Sequence, residues 1–381
     1  MTDTGRVLIA ADKFKGSLTA AEVAEHVAAG IRAVRPTAVV EALPVADGGD
    51  GTVAAAVASG FEPVELEVTG PLGLPVLATL AGREEVAVIE MAQASGLALL
   101  PPFTFAPMTA TTYGTGELIA AALDGGATTV VLGVGGSATT DGGAGMLAAL
   151  GARLLDADGD PLPFGGGPLR ELAEVDLSGL DSRLKDTEFV LASDVDNPLT
   201  GPQGAAAVYG PQKGADPVEV EALDAALTNL VRVLEQTVGA RATECAAAPG
   251  AGAAGGIGFG ALLGLNAVFR PGIEVLLDVL GFASALERAD LVITGEGSLD
   301  EQTLRGKAPA GVAAAARAAG RRVVAVCGRL AIDEDALRGA GIGKAYPLTE
   351  IEPDPEVCIA QAGPLLERVA RQLAEEQLPR P

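Results

Sequence analysis

The side chains that could do chemistry are gathered in five Gly-rich loops, and each loop follows an apolar segment typical of a strand. The first loop contains Lys13, Lys15 and Ser17 and precedes a helical pattern. Two ammonium groups beside a helix N-terminus predict a pocket for a carboxylate or a phosphate. An ordinary strand-to-helix loop with solvated lysines is the alternative interpretation.

The second loop contains Asp47, Gly48, Gly49 and Asp50. Its glycines allow the backbone to approach a ligand closely. Asp47 could accept a hydrogen bond from a substrate hydroxyl, and Asp50 could cap the following helix. Capping by both aspartates is the alternative.

The third loop, residues 133–143, includes Ser137 and a formal match to the pattern G-x-G-x-x-A, with Asp156 at about the spacing of a dinucleotide-binding acid. The glycines continue past the point where the helix of a dinucleotide site should begin. We therefore favour a nest of backbone N–H groups that binds an anion, and keep a dinucleotide site as the alternative.

The fourth loop places Asp194, Asp196 and Asn197 after an apolar strand. Two carboxylates and an amide at a strand end suit a metal ion, or a base that acts on a hydroxyl. An Asx-Pro turn is the alternative.

The fifth loop mixes acids and bases among glycines, next to a predicted helix N-terminus. Its candidate ligand-binding residues are Gly295, Glu296, Gly297, Asp300, Thr303 and Lys307. The sequence contains no G-x-x-x-x-G-K-[ST] pattern, so a P-loop is absent. Lys307 could still bind a phosphate as a point charge.

Composition limits the partners. The 381 residues carry 26 Lys and Arg against 50 Asp and Glu, a net charge of -24, which disfavours nucleic acid and anionic membranes as partners. His26 is the only histidine and is interpreted as a flanking residue of a predicted helix, which disfavours a Ser-His-Asp triad. The three cysteines form no CxxC pair, and no basic-then-apolar leader precedes the first strand, so we expect a cytoplasmic protein without a signal peptide. The sequence leaves open whether it forms a homodimer.

Alternation of strand and helix patterns at both chain ends predicts an α/β protein with two domains. Residues 1–60 and 288–381 are expected to build a parallel, Rossmann- or flavodoxin-like domain, because single helices separate their short apolar strands. Residues 61–287 are expected to form an inserted mixed α/β domain with a β-hairpin. A cleft between the two domains is the expected active site.

Taken in order, seven segments make the chain resemble the bacterial glycerate kinase family that forms 2-phosphoglycerate. They are IAADKFKGSL, PVADGGDGT, ATTYGTGELI, GVGGSATTDGGAGML, ASDVDNPLTGPQGA, YGPQKGA and TGEGSLDEQTLRGKAP. The resemblance covers almost the whole chain. It implies ATP and Mg²⁺ as cofactors, D-glycerate as the small-molecule acceptor and a two-domain α/β architecture.

In the light of this resemblance, we expect Lys13, Lys15 and Ser17 to hold the glycerate carboxylate and Asp47 to bind a hydroxyl. Gly48, Gly49 and Ser137 would line the substrate site. Asp194 would be a general base or a Mg²⁺ ligand, supported by Asn197.

Gly295, Glu296, Gly297, Asp300 and Thr303 would bind ATP–Mg²⁺, and Lys307 would join Lys13 and Asp194 as a catalytic residue. Two other functions stay open: an NAD-dependent dehydrogenase that uses the GVGGSA loop, and a non-catalytic protein that binds organic acids.

Overall fold

A computed structural model describes residues 5–304 and 306–379. Contacts within the chain divide it into two compact units. The first contains the described parts of Met1–Asp47, Ala54–Gly60 and Pro271–Pro381, and the second contains Gly48–Val53 and Phe61–Arg270. The chain therefore leaves the first unit and returns to it.

Thirteen strands are formed by the described residues: β1 Arg6–Ala11, β2 Val39–Ala42, β3 Glu62–Thr69, β4 Pro75–Arg83, β5 Val86–Glu90, β6 Thr129–Gly133, β7 Arg153–Leu155, β8 Glu174–Asp176, β9 Glu188–Ala192, β10 Val268–Arg270, β11 Leu291–Leu299, β12 Arg322–Leu330 and β13 Ala345–Pro347.

Fifteen helices accompany these strands in the described ranges: α1 Ala20–Val34, α2 Thr52–Ala58, α3 Ala92–Ser95, α4 Tyr113–Asp124, α5 Ala144–Ala149, α6 Ala205–Tyr209, α7 Pro217–Val238, α8 Arg241–Ala247, α9 Ala253–Gly264, α10 Gly272–Val279, α11 Phe282–Glu287, α12 Ala308–Ala318, α13 Glu334–Gly339, α14 Pro355–Ala360 and α15 Ala362–Gln377. Short 3₁₀ turns lie at Leu97–Leu99, Gly167–Glu171, Ser182–Lys185, Pro211–Lys213 and Leu348–Glu350.

The sheet of the first unit has the order β13-β12-β11-β1-β2, and every neighbouring pair is parallel. Both chain ends contribute strands, and β1 lies between β11 and β2. Helices α1 and α15 share one core with this sheet, in which Val27, Ile31 and Leu366 are buried. The predicted parallel α/β arrangement is confirmed.

The larger sheet of the second unit has the order β10-β9-β6-β5-β4-β3. Strands β10, β9, β6 and β5 are parallel, whereas β4 and β3 run antiparallel to their neighbours. This confirms the predicted hairpin and the mixed sheet. Strands β7 and β8 form a separate antiparallel pair.

Local sequence explains where the helices begin. Thr19 caps α1 and Glu22 reaches back to the Thr19 backbone N–H, with 2.8 Å between N and Oε2. The 22-residue helix α7, which the sequence analysis did not assign, begins with the same device at Asp216 and Glu219. Its signal was therefore present in the sequence.

Along the chain, the second unit ends at Arg270 and the first unit resumes at Pro271. The sequence analysis placed this boundary at residue 288. Helix α10 belongs to the first unit because Ile273 lies against α12: a Cβ added at Gly311 would be 2.5 Å from the Ile273 side chain. The segment 48–53 groups with the second unit. Among the described helices, none has both the length and the apolar composition required to span a bilayer.

Candidate active site

In the first unit, acidic residues gather where the parallel strands β1, β2 and β11 end. Asp12 directly follows β1, Asp47 follows β2, and Glu296 lies near the end of β11. The Asp12 backbone N–H donates to the Gly295 carbonyl at 2.8 Å, which fixes the first loop against β11. Ligands of open α/β sheets bind at this edge of the strands.

Asp12 was not singled out by the sequence analysis, yet its side chain is the most buried carboxylate of this edge, at 8 % exposure. The pKa of Asp12 is raised from 3.8 to about 7, chiefly by burial and in addition by the charges of Asp47 and Glu296. The Lys13 ammonium and the Lys13 N–H, 2.6 Å from Oδ1, oppose this rise in pKa. A carboxyl that titrates near neutrality is suited to holding a proton or a cation.

The sequence signal for this acid was available: five apolar residues of β1 run directly into Asp12. A carboxyl at the end of a fully buried strand begins with little solvent around it.

Four of the predicted ATP-binding residues lie together beside Asp12. The Lys307 Nζ is 3.9 Å from Glu296 Oε2, and the Thr303 hydroxyl donates to Glu296 Oε1. Asp300 Oδ1 accepts from the Thr303 backbone N–H at 3.2 Å. Burial raises the pKa of Glu296, whereas the Thr303 hydrogen bond and Lys307 lower it. No side chain caps the N-terminus of α12, where Lys307 stands.

The two predicted glycines of this loop have different surroundings. A Cβ at Gly295 would lie 2.2 Å from the Val326 carbonyl oxygen, so this glycine lets β11 and β12 pack closely. A Cβ at Gly297 would be 3.5 Å from the Lys15 backbone nitrogen. Gly297 thus lies beside the Lys-containing loop, and Gly295 serves the sheet.

In the first loop, Lys15 and Ser17 were predicted to bind a carboxylate, and the structure shows different surroundings for the two side chains. Lys15 is exposed, and the Ser17 hydroxyl donates to the Phe14 carbonyl at 3.1 Å, within a tight turn. Helix α1 begins after this turn, and Thr19 already caps it. Thr19 thus already accepts from one N–H of the first helical turn, the Glu22 N–H. A pocket around Lys13 and Lys15 stays a prediction.

In the second unit, three backbone segments meet at the carboxyl edge of the mixed sheet. A Cβ at Gly48 would lie 2.6 Å from the Ala192 carbonyl oxygen, and one at Gly135 would lie 2.6 Å from Gly49 Cα. Ser137 is buried on the loop after β6 and forms an isolated bridge with Gly96. The predicted substrate-binding residues Gly48, Gly49 and Ser137 therefore belong to neighbouring loops.

Asp194 and Asn197 follow β9 at the same edge. Asp194 is exposed. The Asn197 Nδ2 donates to the Gln203 carbonyl at 2.9 Å, and its Oδ1 accepts from the Tyr209 hydroxyl at 2.6 Å. The Asn197 amide thus stabilises the loop, whose two acids, Asp194 and Asp196, are both exposed.

The geometry disfavours a dinucleotide site at Gly133. The next helix, α5, begins only at Ala144, and Gly143 before it is left-handed. Asp156 accepts from the Asp158 and Asp160 backbone N–H groups, both at 2.9 Å, and so closes a turn. It also follows β7, which belongs to the small antiparallel pair, and not a strand of a parallel βαβ unit.

Two further groups are excluded as nucleophiles. His26 lies between α1 and α15, with its Nδ1 3.0 Å from Glu367 Oε1. Cys327 pairs with Glu296 across β11 and β12 but is fully buried, and burial raises the pKa of its thiol. The described site therefore offers carboxylates, a lysine and a helix N-terminus. These groups suit phosphoryl transfer, which depends on positioning and charge neutralisation.

Comparisons with known proteins agree with this class. The model of the glycerate kinase family matches residues 7–377. The glycerate kinase of Bacillus subtilis is 47% identical over 374 residues, which cover 97% of each chain. The glycerate 2-kinase of Escherichia coli is 44% identical over 90% of each chain. A crystal structure of a protein provisionally named glycerate kinase 2, from Salmonella typhimurium LT2, has a TM-score of 0.85 and 42% identity over 98% of each chain. The chain belongs to the glycerate kinase family.

Proposed function

We propose that this protein transfers the γ-phosphoryl group of ATP to D-glycerate and forms 2-phosphoglycerate. The cluster of Asp12, Asp47, Glu296 and Lys307 at one sheet edge is the observation that supports phosphoryl transfer most directly. The Escherichia coli relative that is named a glycerate 2-kinase supports the position of the transfer.

The acceptor is a small carboxylate, and the first loop offers the charge to hold it. Lys13 and Lys15 supply two ammonium groups on the first loop, in a chain whose net charge of -24 otherwise repels an anion. Asp47 accepts the hydrogen bond of a glycerate hydroxyl. Ser17, whose proton goes to the Phe14 carbonyl, offers only its oxygen lone pairs.

Mg²⁺ fits the chemistry of the acidic edge. Within residues 5–304 and 306–379, no three His, Cys, Asp or Glu side chains converge to hold a metal ion by themselves. Mg²⁺ bound to a nucleotide needs only one or two carboxylates, because phosphates and water complete its shell. One or two of Asp12, Asp47 and Glu296 would hold it, and the ion would neutralise charge on the phosphates. Lys307 and the uncapped α12 terminus would bind phosphate oxygens.

Asp194 is proposed as the general base that takes the proton of the attacking hydroxyl, or as a ligand of Mg²⁺. The two sets of loops, one in each unit, would serve the same reaction. That they face each other across a cleft stays a prediction.

Asp194→Asn is expected to lower kcat by about 10²-fold or more, because the amide can neither accept the hydroxyl proton nor neutralise a cation. The melting temperature should not change, since the side chain is exposed. Asp196→Asn, an exposed acid of the same loop, is the matched control and should keep normal kcat. Near-normal turnover of Asp194→Asn would remove Asp194 from both roles.

The function itself is tested with the purified chain, ATP, Mg²⁺ and D-glycerate, followed by phosphorus NMR of the products. The expected result is ADP together with 2-phosphoglycerate. Formation of 3-phosphoglycerate would contradict the proposed position, and binding of glycerate without ADP formation would contradict the kinase activity. Thermal stabilisation by NAD but not by ATP would instead identify a dehydrogenase.

A further inference from the structure

The second unit contains a buried lysine that the catalytic scheme does not use. Lys213 ends the 3₁₀ turn Pro211–Lys213, its exposure is 1 %, and its ammonium donates to the Thr139 carbonyl. A Cβ added at Gly255 would lie 1.8 Å from that carbonyl oxygen and 2.8 Å from Lys213 Nζ. The ammonium is therefore enclosed by backbone.

The charge that balances this ammonium is Asp141, whose exposure is also 1 %. Asp141 Oδ2 accepts from the Thr112 N–H and hydroxyl, both at 2.9 Å, and from the Gly145 N–H at 3.3 Å. Its Oδ1 accepts from the Gly143 N–H at 3.1 Å. Four donors compensate the buried carboxylate, so the pair ties together the turn after β6 and the start of α4.

The Thr139 and Thr140 side chains provide no hydrogen bond within the turn comparable to that of Lys213. The hydroxyls of Thr139 and Thr140 are buried and have no hydrogen-bond partner among residues 5–304 and 306–379. The ammonium of Lys213 is thus the side-chain donor that fixes the Thr139 carbonyl. Burial lowers the pKa of Lys213 to about 7, and the attraction of Asp141 opposes this.

The same turn continues directly into the predicted substrate-binding loop. Ser137 lies two residues before Thr139, and Gly135 lies against Gly49. The Ala138 N–H donates to the Ser95 carbonyl at 2.9 Å, which fixes the far side of the turn. The Thr139 carbonyl that Lys213 holds and the Ala138 N–H that binds Ser95 thus both lie within two residues of Ser137.

We infer that Lys213 is a positioning residue: its buried ammonium, balanced by Asp141, holds the turn after β6 in the conformation in which Ser137 binds the hydroxy-acid acceptor. The inference rests on the proposed function for the identity of that acceptor. It extends the proposed function by assigning a task to a side chain that touches no substrate.

The test compares Lys213→Met with Lys185→Met, which removes an exposed lysine of the same unit. We expect Lys213→Met to raise KM for glycerate by about tenfold or more, with KM for ATP within about twofold of wild type. Lys185→Met should leave both constants unchanged. Equal increases in the two KM values, or none, would overturn the inference.

A double-mutant cycle with Ser137→Ala separates positioning from general destabilisation. If Lys213 acts through Ser137, the increases in KM for glycerate are not additive in the double variant, because Ser137→Ala removes what Lys213 positions. Full additivity would overturn the inference. Should Lys213→Met fail to fold, Lys213→Gln takes its place. Its amide can donate to the Thr139 carbonyl but carries no charge, so we expect KM for glycerate to rise less than in Lys213→Met, again with KM for ATP within about twofold of wild type.

Hydrogen exchange makes the inference independent of the kinase activity. The amides of residues 135–138 should exchange faster in Lys213→Met than in wild type, and at the wild-type rate in Lys185→Met. Unchanged exchange would overturn the positioning role. If wild type phosphorylates no glycerate but the exchange result holds, the proposed function fails and the role of Lys213 in the turn stands.

Discussion

Replacing Asp12 by Asn is expected to lower kcat by about 10³-fold and, in the same variant, to make the chain harder to unfold at pH 8. The loss of rate follows from removing a carboxylate from the edge that would hold Mg²⁺ and the phosphates. The gain in stability follows because Asp12 is buried beside Asp47 and Glu296, whose charges repel it. Activity and stability should thus change in opposite directions.

The pH dependence of this gain has a definite sign. The pKa of Asp12 in the folded chain, about 7, lies above its ordinary value of 3.8, so folding favours the protonated carboxyl. This contribution to stability is full below about pH 4 and is lost as the pH rises through 7. Above pH 7 the wild type should therefore be less stable than Asp12→Asn, by at most about 4 kcal/mol.

Denaturant unfolding between pH 4 and pH 8, in the presence of a chelator, measures the difference. The free energies of unfolding of wild type and Asp12→Asn should converge towards pH 4. Asp335→Asn, whose side chain is 92% exposed, is the control and should show no comparable pH-dependent gain. An Asp12→Asn variant that is less stable than wild type at pH 8, or that turns over normally, would contradict the prediction.

Gly255→Ala is expected to destabilise the chain by more than about 3 kcal/mol, or to prevent folding. Its φ of +81° lies in the left-handed region, which costs a residue with a Cβ about 1–2 kcal/mol. Its new Cβ would also lie 1.8 Å from the Thr139 oxygen that accepts from Lys213. Because the oxygen belongs to a buried backbone, it cannot move aside cheaply.

Gly159→Ala is the matched control, because Gly159 has a φ of +86° and open space where its Cβ would stand. It should cost only the conformational term of about 1–2 kcal/mol. The free energies of unfolding of the two variants and wild type, taken from denaturant titrations, provide the comparison. Similar losses in both variants would show that the contact at Thr139 is not restrictive.

The sequence predicted the secondary-structure elements more completely than the contacts between elements that are distant in the chain. Local patterns were sufficient for the β3–β4 hairpin, for the capping box at Thr19 and for the alternation that builds the parallel sheet. These features depend on residues near one another in the chain. The chain returns to the first unit at Pro271, and not at residue 288 as the sequence predicted, because Ile273 contacts α12. Only the folded chain creates that contact.

The same distinction applies to the candidate site. The loops that hold Glu296, Thr303 and Lys307 could be located from their composition and their position after strands. The raised pKa of Asp12 could not be predicted from the sequence, because it depends on burial and on the charges of Asp47 and Glu296, which are distant in sequence. Asp141 and Lys213 are separated by more than seventy residues, and no local pattern pairs them.

The position of β1 between β11 and β2 has a consequence for synthesis on the ribosome. β1 is made before β11, which appears only after the whole of Phe61–Arg270 has been made. Until then one edge of β1 lacks its native hydrogen-bonding partner, and contacts that are distant in sequence form slowly. During this time β1 remains an apolar strand without its neighbour β11. The residues in between already contain all six strands of the larger sheet and can complete it first.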